Sequence, residues 1–295
     1  MKQTIKILKR VKNNKMKQIK LMYITNNVEV AKIAEANSVD RIFVDMEYIG
    51  KALRQGGMDT VQSRHTVDDI KKLRAEIKDA ELMVRCNPIH EATSEYCSSK
   101  DEIDAIVEAG ADIIMLPYFK TAEEVRVFVE LVGGRARTFP LIETKEAVEC
   151  LDEILAIDGI DEIYVGLNDL SLSYGKKFMF QILAEGRVDE IVEKIKVKGI
   201  PFGFGGIAAV GNGLLPGEKV LAEHYRLGSS SVILSRSFCN YEKIGDIEKV
   251  REIFRVSVKD LREEEKRIQD KDEEFFVKNH EDVKEGVEKI LTMIG

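Results

Sequence analysis

Tryptophan is absent from the 295 residues, proline occurs only five times, and cysteine and histidine four times each. Cys86, Cys97, Cys150 and Cys239 form no CxxC pair, and His65, His90, His224 and His280 are scattered. A disulfide framework or a zinc site is therefore not expected, and any metal should be a hard ion held by oxygen. No basic excess exists either: the net charge is −7, which excludes a global field for nucleic acid or an anionic membrane. No apolar run approaches the roughly 20 residues that span a bilayer. The opening MKQTIKILKRVKNNKMKQIK is basic but lacks the apolar core and cleavage site of a secretory signal, so a short basic helix on a cytoplasmic protein is expected.

What is present is a folded-enzyme composition, 44% hydrophobic and 33% charged. Short apolar, β-rich runs recur from Lys20 onward: IKLMYITN, RIFVDME, ELMVRCN, DIIMLPY, TFPLIET, EIYVGLND, PFGFGGI and SVILS. Amphipathic stretches such as VDDIKKLRAEIK and TAEEVRVFVELV separate them. Nearly continuous apolar strands alternating with helices indicate a parallel sheet covered on both faces. Eight such units fit an α/β fold of the (β/α)8 TIM-barrel kind, usually ~250 residues long, with a doubly wound open sheet as the rival. Residues 1–260 are assigned to the barrel and 261–295 to a C-terminal helical extension. Its face of Val283, Val287, Leu291 and Ile294 needs cover and is assigned to a subunit interface, with packing against its own barrel as the alternative.

Polar residues gather where the strands stop: Asp45 and Glu47, Arg85 and Asn87, Glu143, Asp169, then Ser235 and Arg236. In barrels that rim carries the chemistry. Glu143 and Asp169, closing adjacent strands, would bring two carboxylates together, which is unfavourable without a cation between them. Mg²⁺ or Mn²⁺ is the economical answer. The plain alternatives are a helix-start acid for Glu143, an Asx turn for Asp169 and a salt bridge to Asp45 or Glu47 for Arg85. A divalent ion facing a guanidinium suits carbanion chemistry beside a carbonyl, with the charge shared as a C–C bond breaks. No strand-end lysine offers a Schiff-base route.

PLIETKEAVECLDEILAIDGIDEIYVGLNDLSLSYG, preceded by VRCNP and VEAGADIIMLPYFKTAEEV, resembles the HpcH/HpaI aldolase and citrate lyase beta-subunit family, from Lys20 to about Arg255. The resemblance implies a metal-dependent lyase acting on a 2-oxo acid and an aldehyde, or on acyl-CoA thioesters, in a homo-oligomer of dimers that can build a hexamer. It implies Glu143 and Asp169 as metal ligands, Arg85 as the enolate contact, and the amides of Gly166, Leu167 and Asn168 as a carboxylate cradle. Asp45 and Glu47 match the family's strand-two acids, whereas Tyr48 stands where a catalytic histidine is usual. His65, in the long segment between Ile49 and Thr66, is the candidate replacement base, and His90 a weaker one. Lys51, Arg54, Gln55 and Arg64 in the same segment, and Gly203, Gly205 and Gly206 after strand seven, are candidates for gripping an anion. A barrel that binds metal and 2-oxo acid without turnover is the reading from outside enzymology.

Overall fold

A computed structural model describes residues 18–50 and 64–295. Residues 1–17 of the basic N-terminal stretch and Lys51, Arg54 and Gln55 lie outside these residues. Eight strands, β1 (Lys20–Ile24), β2 (Arg41–Asp45), β3 (Glu81–Arg85), β4 (Ile113–Leu116), β5 (Arg137–Ile142), β6 (Ile163–Val165), β7 (Phe202–Ile207) and β8 (Ser231–Leu234), form one closed barrel in sequence order. Each lies parallel to the next, and β1 closes onto β8 with Lys20 opposite Ser231. The open-sheet alternative is thereby excluded.

The helices between the strands start and stop by local rules. Thr66 and Thr121 form capping boxes with Asp69 and Glu124, satisfying otherwise orphaned amides. Gly133, Gly199 and Gly228 end their helices in the left-handed region. Among the described residues no helix is long and apolar enough to cross a membrane.

Period-two alternation along the strands stacks three chemically different layers inside the barrel. Phe43, Met83, Phe139 and Tyr164 belong to the apolar middle layer, while the alternate Ile42, Val44, Leu82 and Val84 pack outward beneath the helices. Two residues toward the strand starts, the same face carries Arg41, Glu81, Arg137 and Glu162. Arg41, fully buried, binds Glu162 through both terminal nitrogens at 2.5 and 3.0 Å and Glu81 through Nε at 2.8 Å. Arg137 completes the ring by pairing with Glu162 and Glu81. Burial works against the Arg41 charge, but Glu162 and Glu81 outweigh it and raise its pKa. Two residues toward the strand ends, the same alternation places Asp45 and Arg85 at the opposite mouth, paired across β2 and β3.

The helix Ile247–Ile268 runs without a break through position 260, where the domain boundary was placed. The helix Glu273–Ile294 then packs on Gly217–Leu227 of the same chain, burying Val283, Val287 and Ile290. The Glu223 carboxylate, fully buried between these helices, meets Asn279 Nδ2, His280 Nδ1 and Arg226 Nε at 2.8–2.9 Å. The apolar face at the C-terminus is thus covered in large part from within, leaving Met293 and Ile294 exposed.

His224 lies flat against Phe204, ring centres 3.8 Å apart, with Nδ1 2.8 Å from Ser229 Oγ. Burial pushes its pKa down to about 3. Its folded pKa therefore lies below the ~6.5 of an unfolded histidine. Its stabilising contribution is complete above about pH 6.5 and is lost as pH falls, because the unfolded chain takes up a proton that the folded chain refuses. Between pH 8 and 5 this should remove about 2 kcal/mol. Urea unfolding at pH 8 and pH 5 should show His224→Gln losing less stability over that interval than the wild type. Equal losses in the two proteins would refute the assignment.

Candidate active site

A cavity of about 370 Å³ opens at the C-terminal mouth of the barrel. Asp45, His65, Arg85, Glu143, Asp169 and the Gly166–Asn168 backbone all contribute to its wall, brought together from β2, β3, β5 and β6.

Arg85 is clamped by Asp45, Nε to Oδ1 at 2.8 Å and Nη2 to Oδ2 at 2.7 Å, with Glu47 Oε2 3.4 Å from Nε. The salt bridge offered as the plain reading of Arg85 therefore exists, and Arg85 still faces the cavity. Burial opposes its charge, but Asp45 and Glu47 prevail and hold its pKa well above the ordinary value. Packing of the guanidinium 5.5 Å over the Phe43 ring fixes its plane further.

Glu143 is 3% exposed and does not cap the following helix: that task falls to Thr144, whose hydroxyl accepts from Ala147. Instead Glu143 Oε1 accepts from the Tyr118 amide at 2.9 Å. To aim that N–H, Tyr118 adopts φ +48°, a conformation costly for a non-glycine residue. Its position in LPYFK carries no local signal for it.

Asp169 does not close strand six as expected. β6 ends at Val165, and Asp169 sits in the first turn of the helix Leu167–Ser173, Oδ1 accepting from Asn168 Nδ2 at 3.2 Å. The strand is short because Gly166 begins the turn into that helix. The Gly166 amide is also not available to a ligand, since it donates to the Ile142 carbonyl at 2.9 Å. Leu167 and Asn168, as first-turn amides, have no carbonyl to meet within their helix.

His65 reaches the mouth, where its Nδ1 lies 3.0 Å from the Asp45 amide nitrogen and accepts that N–H. In the neutral ring, acceptance at Nδ1 puts the proton on Nε2. Tyr48 is 50% exposed, lies edge-on to Tyr96 outside the cavity and cannot stand in for the histidine. His90 is also away from the cavity: its nitrogens lie 2.7 Å from the Pro88 carbonyl and 2.9 Å from that of Cys97, tying its own loop. Arg64, just before His65, is exposed.

Gly203, Gly205 and Gly206 lie within β7 rather than after it, and the first two are held by close packing. A Cβ on Gly203 would come within 2.6 Å of the Tyr164 ring, and Gly205, at φ +55°, lies against Leu167. Tyr164 was not anticipated, and Asn87, read only as a rim residue, has a supporting task. Tyr164, at the cavity floor, donates to the Phe204 carbonyl at 3.0 Å and accepts from the Ile233 amide at 3.0 Å. Asn87 Oδ1 accepts from the amides of Tyr48 and Ile49, while Glu102 holds Asn87 from behind. Burial raises the Glu102 pKa, partly offset by the hydrogen bonds from Asn87. This chain anchors the backbone just after Glu47.

A family model described as HpcH/HpaI aldolase/citrate lyase matches residues 18–181. Hydroxypyruvate/pyruvate aldolases of Roseovarius nubinhibens and Roseobacter denitrificans are 23% and 26% identical to the chain over 160 residues, 43% of this chain and 61% of each relative. The match thus spans 61% of the length of these curated relatives. An HpcH/HpaI aldolase from Desulfitobacterium hafniense superposes with TM-score 0.55 at 18% identity, covering 80% of this chain and 93% of that one. The citrate lyase beta subunit of M. tuberculosis, complexed with oxaloacetate and magnesium, gives 0.54 at 17%, covering 82% and 99%. At such identities the superpositions establish the fold alone.

Proposed function

Because the chain belongs to the HpcH/HpaI aldolase/citrate lyase family, its family model matching residues 18–181, we propose that it is a divalent-metal-dependent carbon–carbon lyase. It would cleave or form a 4-hydroxy-2-oxo acid through a pyruvate-type enolate. The observation that carries this reading is the convergence of Glu143, Asp169 and Arg85 on one cavity.

The donors suit Mg²⁺ or Mn²⁺. Glu143 and Asp169 are buried hard-oxygen ligands, and Glu143 Oε2 lies where a Cβ on Gly166 would crowd it at 2.9 Å, a space kept open by glycine. Among the described residues no cluster of three His, Cys, Asp or Glu side chains could hold a metal. Two carboxylates are nonetheless sufficient for an ion that keeps water and substrate in its other positions. When bound, the ion supplies Lewis acidity to the keto oxygen of a 2-oxo acid.

The protein's own groups then divide the remaining work. Leu167 and Asn168 amides receive the substrate carboxylate at the start of their helix. Arg85, its Nε and Nη2 already committed to Asp45, turns its remaining edge to the oxygen on which enolate charge develops. Preorganisation by Asp45 and Glu47 means that this guanidinium need not reorient as charge builds. His65, at the same mouth, is the candidate group for the proton transfer.

Deuterium exchange at the pyruvate methyl group, followed by NMR in D₂O, tests the reading without knowledge of the aldehyde. Exchange should require Mg²⁺ or Mn²⁺ and stop on addition of a chelator. Pyruvate binding without exchange would make the protein a barrel that binds only.

A further inference from the structure

His65 belongs to no strand or helix, yet its ring forms part of the cavity wall. A side chain on such a connection needs fixing from elsewhere if it is to meet a substrate with ångström precision. The residues around it supply three fixings. Next along the chain, Thr66 caps the helix Val67–Glu76: its hydroxyl accepts from the Asp69 amide at 3.3 Å, while Asp69 Oδ2 accepts from the Thr66 amide at 2.9 Å. That box sets the backbone on which His65 is carried. At the ring, the Asp45 amide donates to Nδ1 at 3.0 Å. Asp45 also clamps Arg85 through its carboxylate, so one residue at the end of β2 sets the places of both side chains.

The third fixing comes from the neighbouring strand. Asn26, just beyond β1, donates from Nδ2 to Asp69 Oδ2 at 3.3 Å, across 43 positions of sequence. Its own backbone is held on both sides: the Thr25 amide donates to the Phe43 carbonyl at 3.1 Å, and the Asn27 amide to Thr25 Oγ1 at 3.1 Å. Asn27, and not Asn26, caps the helix Val28–Ala36, so the Asn26 side chain is not needed for its own helix. Its contact with Asp69 ties the start of the next helix to the rim of the barrel. Burial works against the Asp69 charge, but the Thr66 amide and Asn26 prevail and lower its pKa. Asn26 therefore meets an ionised acceptor, the stronger kind of hydrogen bond.

We propose that Asn26 and Asp69 are positioning residues for His65: Asn26, through Asp69 and Thr66, anchors the backbone that carries the imidazole to the cavity. Their part is to place the ring, and the proton transfer stays with His65. This rests on the lyase reading for the task given to His65, whereas the placement itself does not depend on that reading.

The test joins spectroscopy to turnover. The chain has four histidines, so long-range ¹H–¹⁵N NMR of histidine-labelled protein resolves His65, identified by the signal lost in His65→Gln. In metal-free wild type at about pH 8, where the ring is neutral, His65 should hold one tautomer, protonated on Nε2. Asn26→Ala, which removes no helix cap, should move its nitrogens toward the averaged values of a ring exchanging between tautomers, with His90, His224 and His280 unchanged. Asp69→Ala should do the same, and Asp69→Asn, whose amide oxygen still accepts, much less. Metal-dependent exchange at the pyruvate methyl group should fall roughly a hundredfold in Asn26→Ala. Because that loss acts through His65, adding Asn26→Ala to His65→Gln should cost nothing further. His65 signals unchanged in both alanine variants, or losses that multiply in the double variant, overturn the proposal. Exchange that fails in the wild type, or survives in His65→Gln, while the tautomer shift is present would sink the reading of the site and leave the placement standing.

Discussion

Replacing Glu143 with glutamine should lower metal-dependent pyruvate exchange on the order of a thousandfold, the scale seen when a preorganised electrostatic group is lost from an active site. The substitution is nearly isosteric. Glutamine can still accept from the Tyr118 amide that now reaches Glu143 Oε1 at 2.9 Å, so the backbone after β4 has no reason to move. What disappears is one negative charge from a cavity that also holds Asp45 and Asp169. In metal-free protein, removing a like charge should leave the urea midpoint unchanged or slightly higher. Mn²⁺ affinity, read by calorimetry or electron paramagnetic resonance, should fall together with exchange. Exchange that survives in a folded Glu143→Gln protein would refute the metal assignment.

Gly166→Ala should lower the same exchange roughly a hundredfold with a single methyl group. The backbone there, at φ −82° and ψ 90°, accepts alanine without strain, so any effect must come from close approach. An added Cβ would stand 2.9 Å from both Glu143 Cβ and Oε2 and 3.0 Å from Leu141 Cδ1. Glu143 Cβ is tied to the strand end and cannot swing aside as the tip of a long side chain would. Either Glu143 shifts or the helix Leu167–Ser173 lifts, and both separate Glu143 from Asp169. Misplacement on the ångström scale costs roughly a hundredfold in rate. Overpacking of this kind should also cost about 1–3 kcal/mol of stability. Gly206→Ala, whose Cβ would meet Ser235 Cβ at an ordinary 3.5 Å, should cost far less stability by urea denaturation. Equal destabilisation by the two alanines would show that backbone freedom, and not the contact with Glu143, explains Gly166.

Much of this architecture was legible in the chain because its signals are local. RIFVD, ELMVR and TFPLI read as strands on their own residues, and VDDIKKLRAEIK and TAEEVRVFVELV as amphipathic helices. Acids and an arginine at strand ends marked one face of a barrel once eight units were counted. The ring of Arg41, Glu81, Arg137 and Glu162 was not legible, since Arg41 and Glu162 lie 121 positions apart and each, taken alone, reads as the polar edge of a strand. Asp169 was displaced from its expected strand end because strand length depends on pairing. Only two β6 residues, Tyr164 and Val165, register with β5 before the chain turns.

By itself, the sequence determined the element types, their order and the chemistry available: hard oxygen donors, an arginine, no strand-end lysine and no metal-binding thiol cluster. Those follow from short-range periodicity and residue identity, which need no knowledge of what lies opposite. The tertiary structure decided which of these groups meet, how they are spent and which face the cavity. It committed the Gly166 amide to Ile142, Arg85 to Asp45 and His65 Nδ1 to a backbone N–H, and left Arg236 without an ion pair among the described residues. The physical reason is that a hydrogen bond or ion pair is set by ångström distances across the closed barrel, and closure brings together residues whose separation along the chain carries no record of the contact.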